Sequence, residues 1–204
     1  MNRLAALSFL CLLTAGPGCV NHYFPQQSGP SRDQWQRPKE VIEALAIQSG
    51  VRVADLGAGD GYFTFWLTEA VGPEGTVYAA DIEQSRLDLI AEQARRYRLS
   101  NVQIVLATSD DPRLPADGVD LIFSCNVYHQ MEDRVAYWRK AGRFLRAGGR
   151  VAVIDYKPPT WFNGWFRPGT GKDTIRKEME AAGYRPVGDF DFLEDQHFLV
   201  FRLA

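Results

Sequence analysis

The sequence predicts an α/β domain: a seven-stranded, mostly parallel sheet with an antiparallel last strand and helices on both faces. Three observations predict it. Short apolar runs alternate with amphipathic segments over residues 51–156, the order of strand–helix–strand units. The runs at 51–57, 119–127 and 150–156 lack polar alternation, as strands covered on both faces do. The chain then ends in two strand-like runs, 185–193 and 197–204, separated only by Glu194-Asp195-Gln196. So short a link forces an antiparallel pair, because parallel strands need a long crossover.

The elements follow in order. The stretch "VNHYFPQQSGPSRDQWQRPK" (20–39) is rich in Pro, Gln and Ser and reads as a flexible linker. After Pro38, "KEVIEALAIQSG" has helical spacing up to Gly50. A strand is predicted at 51–57, a helix at 61–72 and a second strand at 76–82. A helix at 85–99 carries Leu87, Ile90, Ala91 and Ala94 on one face. Strands three and four are predicted at 102–107 and 119–127. A helix at 132–149 is expected to close at Gly148-Gly149, before strand five at 150–156. The last helix, 172–184, precedes the terminal strand pair.

A chain of 204 residues fits one such domain with length left for a tail. Lys and Arg number 23 against 25 Asp and Glu, net −2, and no basic run occurs, which excludes a nucleic-acid-binding surface. No Cys/His cluster has metal-ligand spacing, so no metal is expected. Three cysteines make no disulfide framework. Cys125 lies in the apolar run 119–127 and reads as a buried, inert thiol.

The first nineteen residues differ from the rest. Arg3 precedes an apolar run from Leu4 to Leu13, followed by small residues and Cys19. This is a secretory signal layout, too short to span a bilayer. It resembles the lipobox of bacterial lipoproteins, with Gly16 and Pro17 departing from that pattern. The expected division is a signal peptide at 1–18 with Cys19 lipidated, a linker at 19–37 and the domain at 38–204. The expected location is the bacterial cell envelope, anchored through Cys19 and facing the periplasm or exterior; a cytoplasmic protein is the alternative.

"DLGAGDGYFTFW" (55–66) joins the first strand to the first sheet helix. Glycines there let a ligand approach the backbone. Its spacing is G-x-G-x-G, and Tyr62 fills the slot where a dinucleotide fingerprint has its third glycine. No Gly-Lys-Ser/Thr follows, which excludes a P-loop.

At these residues the chain resembles the class I S-adenosylmethionine (SAM) methyltransferases, whose first motif is similar to "VADLGAGDGYFT". The resemblance spans residues 38–204 and includes "LPADGVDLIFSCNV", "FLRAGGRVAVIDY" and the antiparallel tail. It implies a Rossmann-like fold and SAM as cofactor. Asp55 is then expected near the methionine moiety, with Gly57, Ala58, Gly59, Gly61 and Tyr62 beside the cofactor. Asp81, followed by Ile82, is expected at the ribose hydroxyls. Asp110 is expected at the adenine and Asn126 at the methionine part. Tyr128, His129 and Asp155 are candidates to face the acceptor or move a proton, since they stand at the ends of strands four and five.

The expected activity is methyl transfer to a small or lipid-like acceptor. A non-catalytic SAM- or nucleoside-binding module outside the cytosol is a second reading. An NAD(P)-dependent oxidoreductase is a third, disfavoured by Tyr62. Trp161, Phe162, Trp165 and Phe166, in the Pro/Gly-bounded stretch 157–171, are expected to cover an apolar acceptor, meet a membrane interface or pack on the domain.

Overall fold

The computed structural model describes residues 29–159 and 168–204. The expected signal segment, Cys19 and the four aromatic residues at 161–166 lie outside the described residues.

Seven strands form one sheet: β1 (Arg52–Leu56), β2 (Thr76–Asp81), β3 (Val102–Leu106), β4 (Val119–Cys125), β5 (Leu145–Tyr156), β6 (Tyr184–Phe190) and β7 (Gln196–Leu203). Their order is β3-β2-β1-β4-β5-β7-β6. β1 to β5 run parallel, and β7 inserts antiparallel between β5 and β6. The helices are α1 (Gly29–Gln36), α2 (Pro38–Leu45), α3 (Tyr62–Val71), α4 (Gln84–Arg96), α5 (Arg134–Ala141) and α6 (Lys172–Ala181).

The period-2 rule of a strand sorts the core into two layers. Val53, Val77, Phe123, Ile154 and Phe198 face α2 and α3, where Val41, Leu45, Phe63 and Leu67 are buried. Ala54, Ile122, Val151, Val153 and Phe201 face the opposite side, with Trp138 of α5 and Ile175 and Met179 of α6. Leu87 and Ile90 of α4 pack on Ala79 and Phe65. Each large side chain so buried contributes about 1.5–3 kcal/mol.

Three boundaries differ from the sequence-based expectation, each for a local reason. α2 stops at Leu45, where Ala46 turns left-handed (φ 46°) and its N–H bonds the carbonyl of Glu43. α5 stops at Ala141, followed by one 3₁₀ turn over Gly142–Phe144. Gly148-Gly149 is therefore no helix cap. It is a bulge within β5, where pairing jumps from Val119↔Leu145 to Leu121↔Arg150. The third difference is α1. Part of the expected linker is helical, and its Gln36 is fully buried.

The sequence order places β1 beside both β2 and β4. The chain reverses its direction across the sheet at β1, and an open α/β sheet leaves a crevice outside the carboxyl ends of its strands at such a point.

Candidate active site

The crevice is built around residues 57–61. Gly57, Gly59 and Gly61 all have positive φ, at 73°, 57° and 89°. The N–H groups of Gly57 and Ala58 donate to the carbonyl of Ala80 at 2.8 and 3.1 Å, which ties the turn to β2. A Cβ on Gly57 would stand 2.2 Å from Val127 Cγ2, so only glycine lets the turn pass beneath the end of β4. A Cβ on Gly59 would meet nothing within 4 Å; that face is open to the cleft. The cleft has a volume of about 600 Å³, within the range of small-molecule sites.

Six of the sequence-based candidates line it: Gly57, Ala58, Gly59, Asp81, Ile82 and Asn126. Asp81 stands at the end of β2. Its Oδ2 accepts from the Gly59 N–H at 2.8 Å and its Oδ1 from the Glu83 N–H at 3.0 Å. A carboxylate has about four acceptor sites, so a lone pair remains on each oxygen. Ile82 is 60% exposed at the rim, an apolar face turned to solvent.

Other candidates stand elsewhere. Asp55 lies buried beneath the turn, where Thr64 Oγ1 donates to its Oδ2 at 2.6 Å. Burial raises its pKa to about 7, against the downward pull of the Thr64 hydrogen bond. Gly61 caps α3, and a Cβ there would press on Phe65 and Ile90 at 2.9 and 3.0 Å. Tyr62 turns to α1 and donates from its hydroxyl to Asp33 Oδ1 at 2.6 Å. Asp110 stands outside the cleft, paired with Lys140 Nζ at 3.1 Å. The backbone explains this: Thr108 and Asp111 bridge to one another, and the tight turn carries Asp110 outward. Thr108 and Ser109 line the cleft in its place.

Tyr128 and His129 are neighbours in one 3₁₀ turn and face opposite environments. The Tyr128 ring is fully buried on Trp138, 6.1 Å between centroids, and its hydroxyl donates to Glu178 Oε2 at 2.9 Å. It faces the core between α5 and α6, so the expectation that it meets an acceptor is corrected. His129 Nδ1 lies 2.7 Å from Oδ1 of the fully buried Asp155. The two come from the carboxyl ends of β4 and β5, adjacent strands, which brings them together. Burial raises the Asp155 pKa, and His129 pulls it back. Cys125 lines the cleft floor; burial pushes its thiol pKa up, which leaves it inert.

Sequence reasoning missed α1. It reaches the cleft through Arg32 and is held at three points. Asp33 accepts from Tyr62, Trp35 stacks on Tyr156 at 6.2 Å, and Gln36 Nε2 donates to Gln196 Oε1 at 2.7 Å. Gln196 Nε2 in turn donates to Asn126 Oδ1 at 2.6 Å. Arg32 places its guanidinium 3.7 Å over the Tyr62 ring and reaches the cleft. The visible signal was the spacing of Arg32, Trp35 and Gln36, three and four apart, inside a stretch read as linker.

A family model described as "Methyltransferase domain" matches residues 47–184. The chain belongs to the class I SAM-dependent methyltransferase family. The demethylmenaquinone methyltransferase of Listeria welshimeri is 27% identical over 135 residues, 63% of this chain and 57% of that protein. The ubiquinone/menaquinone biosynthesis C-methyltransferase of Proteus mirabilis is 32% identical over 126 residues, 61% of this chain and 49% of that protein. The match thus spans about half the length of these relatives. In fold, the chain is similar to a SAM-dependent methyltransferase from Aquifex aeolicus, with a TM-score of 0.79 at 23% identity, covering 86% of this chain and 94% of that one.

The cofactor of this methyltransferase family is SAM, and the cleft fits it. The open face of Gly59 admits a ligand against the backbone. Asp81 keeps an acceptor site on each oxygen for two vicinal hydroxyls. Ile82 offers an apolar surface for a flat base. Among the described residues no cluster of His, Cys, Asp and Glu is placed to hold a metal.

Proposed function

We propose that this protein transfers the methyl group of SAM to a small or lipid-like acceptor, a hydroxylated aromatic ring of the quinol class. The observation that carries the reading is the His129–Asp155 pair at the carboxyl ends of β4 and β5. The pair does not itself line the cleft, but His129 follows closely in the chain on the lining residues Asn126 and Val127. The names of the two bacterial relatives support the quinol class. SAM supplies an electrophilic methyl group on a sulfonium. The protein's part is to hold the acceptor in line and to take a proton from it. With Nδ1–H donated to Asp155, the lone pair of His129 stands on Nε2 and accepts the hydroxyl proton. Losing that proton makes the ring carbon beside the hydroxyl electron-rich. That carbon would take the methyl as the sulfonium S–CH3 bond breaks to leave S-adenosylhomocysteine (SAH). It would then release its own hydrogen as a proton to restore the aromatic ring.

The experiment pairs full-length protein with methyl-tritiated SAM and a short-chain demethylmenaquinol. Label in the quinol is expected, and His129→Gln should lower turnover by about 100-fold or more while SAH binds within twofold. SAH binding without transfer to the quinol would overturn the acceptor class and favour a binding module.

The reading includes attachment to the cell envelope through Cys19, which the lipobox-like N-terminal sequence supports. No helix among the described residues is long and apolar enough to cross a membrane. Palmitate labelling of the envelope fraction, lost in Cys19→Ser, is expected; recovery of the unlabelled chain in the cytosol overturns it.

A further inference from the structure

We propose that Arg32, on α1, binds the carboxylate of the cofactor's methionine tail. The inference rests on the SAM reading of the cleft and adds a residue from outside the family's matched region, which starts at residue 47.

The tail of SAM is a zwitterion, an ammonium and a carboxylate on one carbon. A site for it needs an acid and a base near each other. Asp81 and Ile82 mark the nucleoside end of the cleft, so the tail lies toward Asn126, at the end of β4. Among the described residues two cations line the cleft, Arg32 and Arg86. Arg86 belongs to α4, at the nucleoside end, where its Nε lies 3.8 Å from Glu83 Oε2. Arg32 is at the other end. Its charge is felt at three groups there: it draws down the pKa values of Asp55 and Cys125, and of Tyr62, whose ring it covers. Acid and base therefore stand at the same end, Asp55 under the turn and Arg32 over it.

The position of Arg32 is set by its neighbours. Asp33 is bonded to Tyr62, Gln36 to Gln196, and Gln196 to Asn126. The Tyr62 face beneath the guanidinium restricts its plane, which favours fork-like recognition of a planar carboxylate. Tyr62, the bulky residue that departs from a dinucleotide fingerprint, thus serves as the platform for a cation.

The test compares two ligands that differ by the tail. SAH carries the amino-acid group and 5′-methylthioadenosine lacks it. Calorimetry on full-length protein should show Arg32→Met losing about 10- to 100-fold in SAH affinity, the range for a charge-assisted pair. The affinity for 5′-methylthioadenosine should stay within twofold. Equal losses for both ligands would overturn the proposal, because Arg32 would then act only by seating α1. Unchanged SAH affinity would overturn it too. If Arg32→Met does not fold, Arg32→Lys serves: it keeps the charge and loses the fork, so a loss of about fivefold to tenfold confined to SAH is expected. Wild-type protein that binds neither ligand would refute the SAM reading itself, a distinct outcome.

Discussion

Asp55 is held almost without water, with the Thr64 hydroxyl against one oxygen. Its pKa rises from 3.8 to about 7 because burial penalises the charged form. An acid with a raised folded-state pKa binds its proton more tightly folded than unfolded. Its stabilising effect is complete below about pH 3.8 and is lost as pH climbs to about 7. Two units within that window correspond to about 2–3 kcal/mol. Urea unfolding at pH 5 and pH 8 should therefore show wild type losing about that much more than Asp55→Asn, which has no proton to give up; equal losses would refute the shift. Asp81 is a different acid. It accepts two backbone N–H groups and keeps two lone pairs for a ribose. Asp81→Ala should weaken SAH binding by about 100-fold, and Asp81→Asn, which keeps one acceptor oxygen, by less. An unchanged dissociation constant for Asp81→Ala would remove Asp81 from the cofactor site.

The turn between β1 and α3 has only one residue type open to it at Gly57. An added Cβ meets Val127 at 2.2 Å, and φ of 73° strains any L residue. Gly57→Ala should cost at least about 2 kcal/mol in chemical denaturation, with about 1–2 kcal/mol of it from the left-handed backbone. The double variant Gly57→Ala/Val127→Ala relieves the clash alone and should recover only the remainder. Such turns are legible in sequence because glycine spacing records backbone need directly. The strands were legible for a similar reason: β1, β4 and the second half of β5 are buried on both faces and mostly apolar. Other features depend on distant residues. Gly148-Gly149 serves equally well as cap or bulge, and the pairing with β4 decides. Tyr128 and His129 are adjacent polar-tipped rings, and only Trp138, Glu178 and Asp155 assign one to the core and one to the strand ends. α1 has little apolar surface of its own. Its place comes from Tyr62, Tyr156 and Gln196, residues far along the chain.

At the scale of the molecule, Gln196 joins three parts that are separate in sequence: α1 through Gln36, the start of β7 on which it sits, and the cleft through Asn126. Asn126 is itself left-handed (φ 61°), so its orientation at the cleft depends on what holds it. Ligand in the cleft and α1 over it are therefore coupled through one buried amide. Binding to the folded state alone stabilises it by about 2.7 kcal/mol at a hundredfold excess over the dissociation constant. For a chain of this size that is a rise in Tm of about 5–10 °C with SAH. The same ligand, bridging Arg32 to the turn, should slow amide hydrogen exchange in α1 as well as around residues 57–61. Gln196→Ala cuts both amide contacts. It should leave exchange in β1 and β4 as in wild type, speed it in α1, and shrink the SAH-induced protection there. Protection of α1 that survives Gln196→Ala would mean that Tyr62–Asp33 and Trp35–Tyr156 seat the helix without it, and that the amide chain carries no coupling.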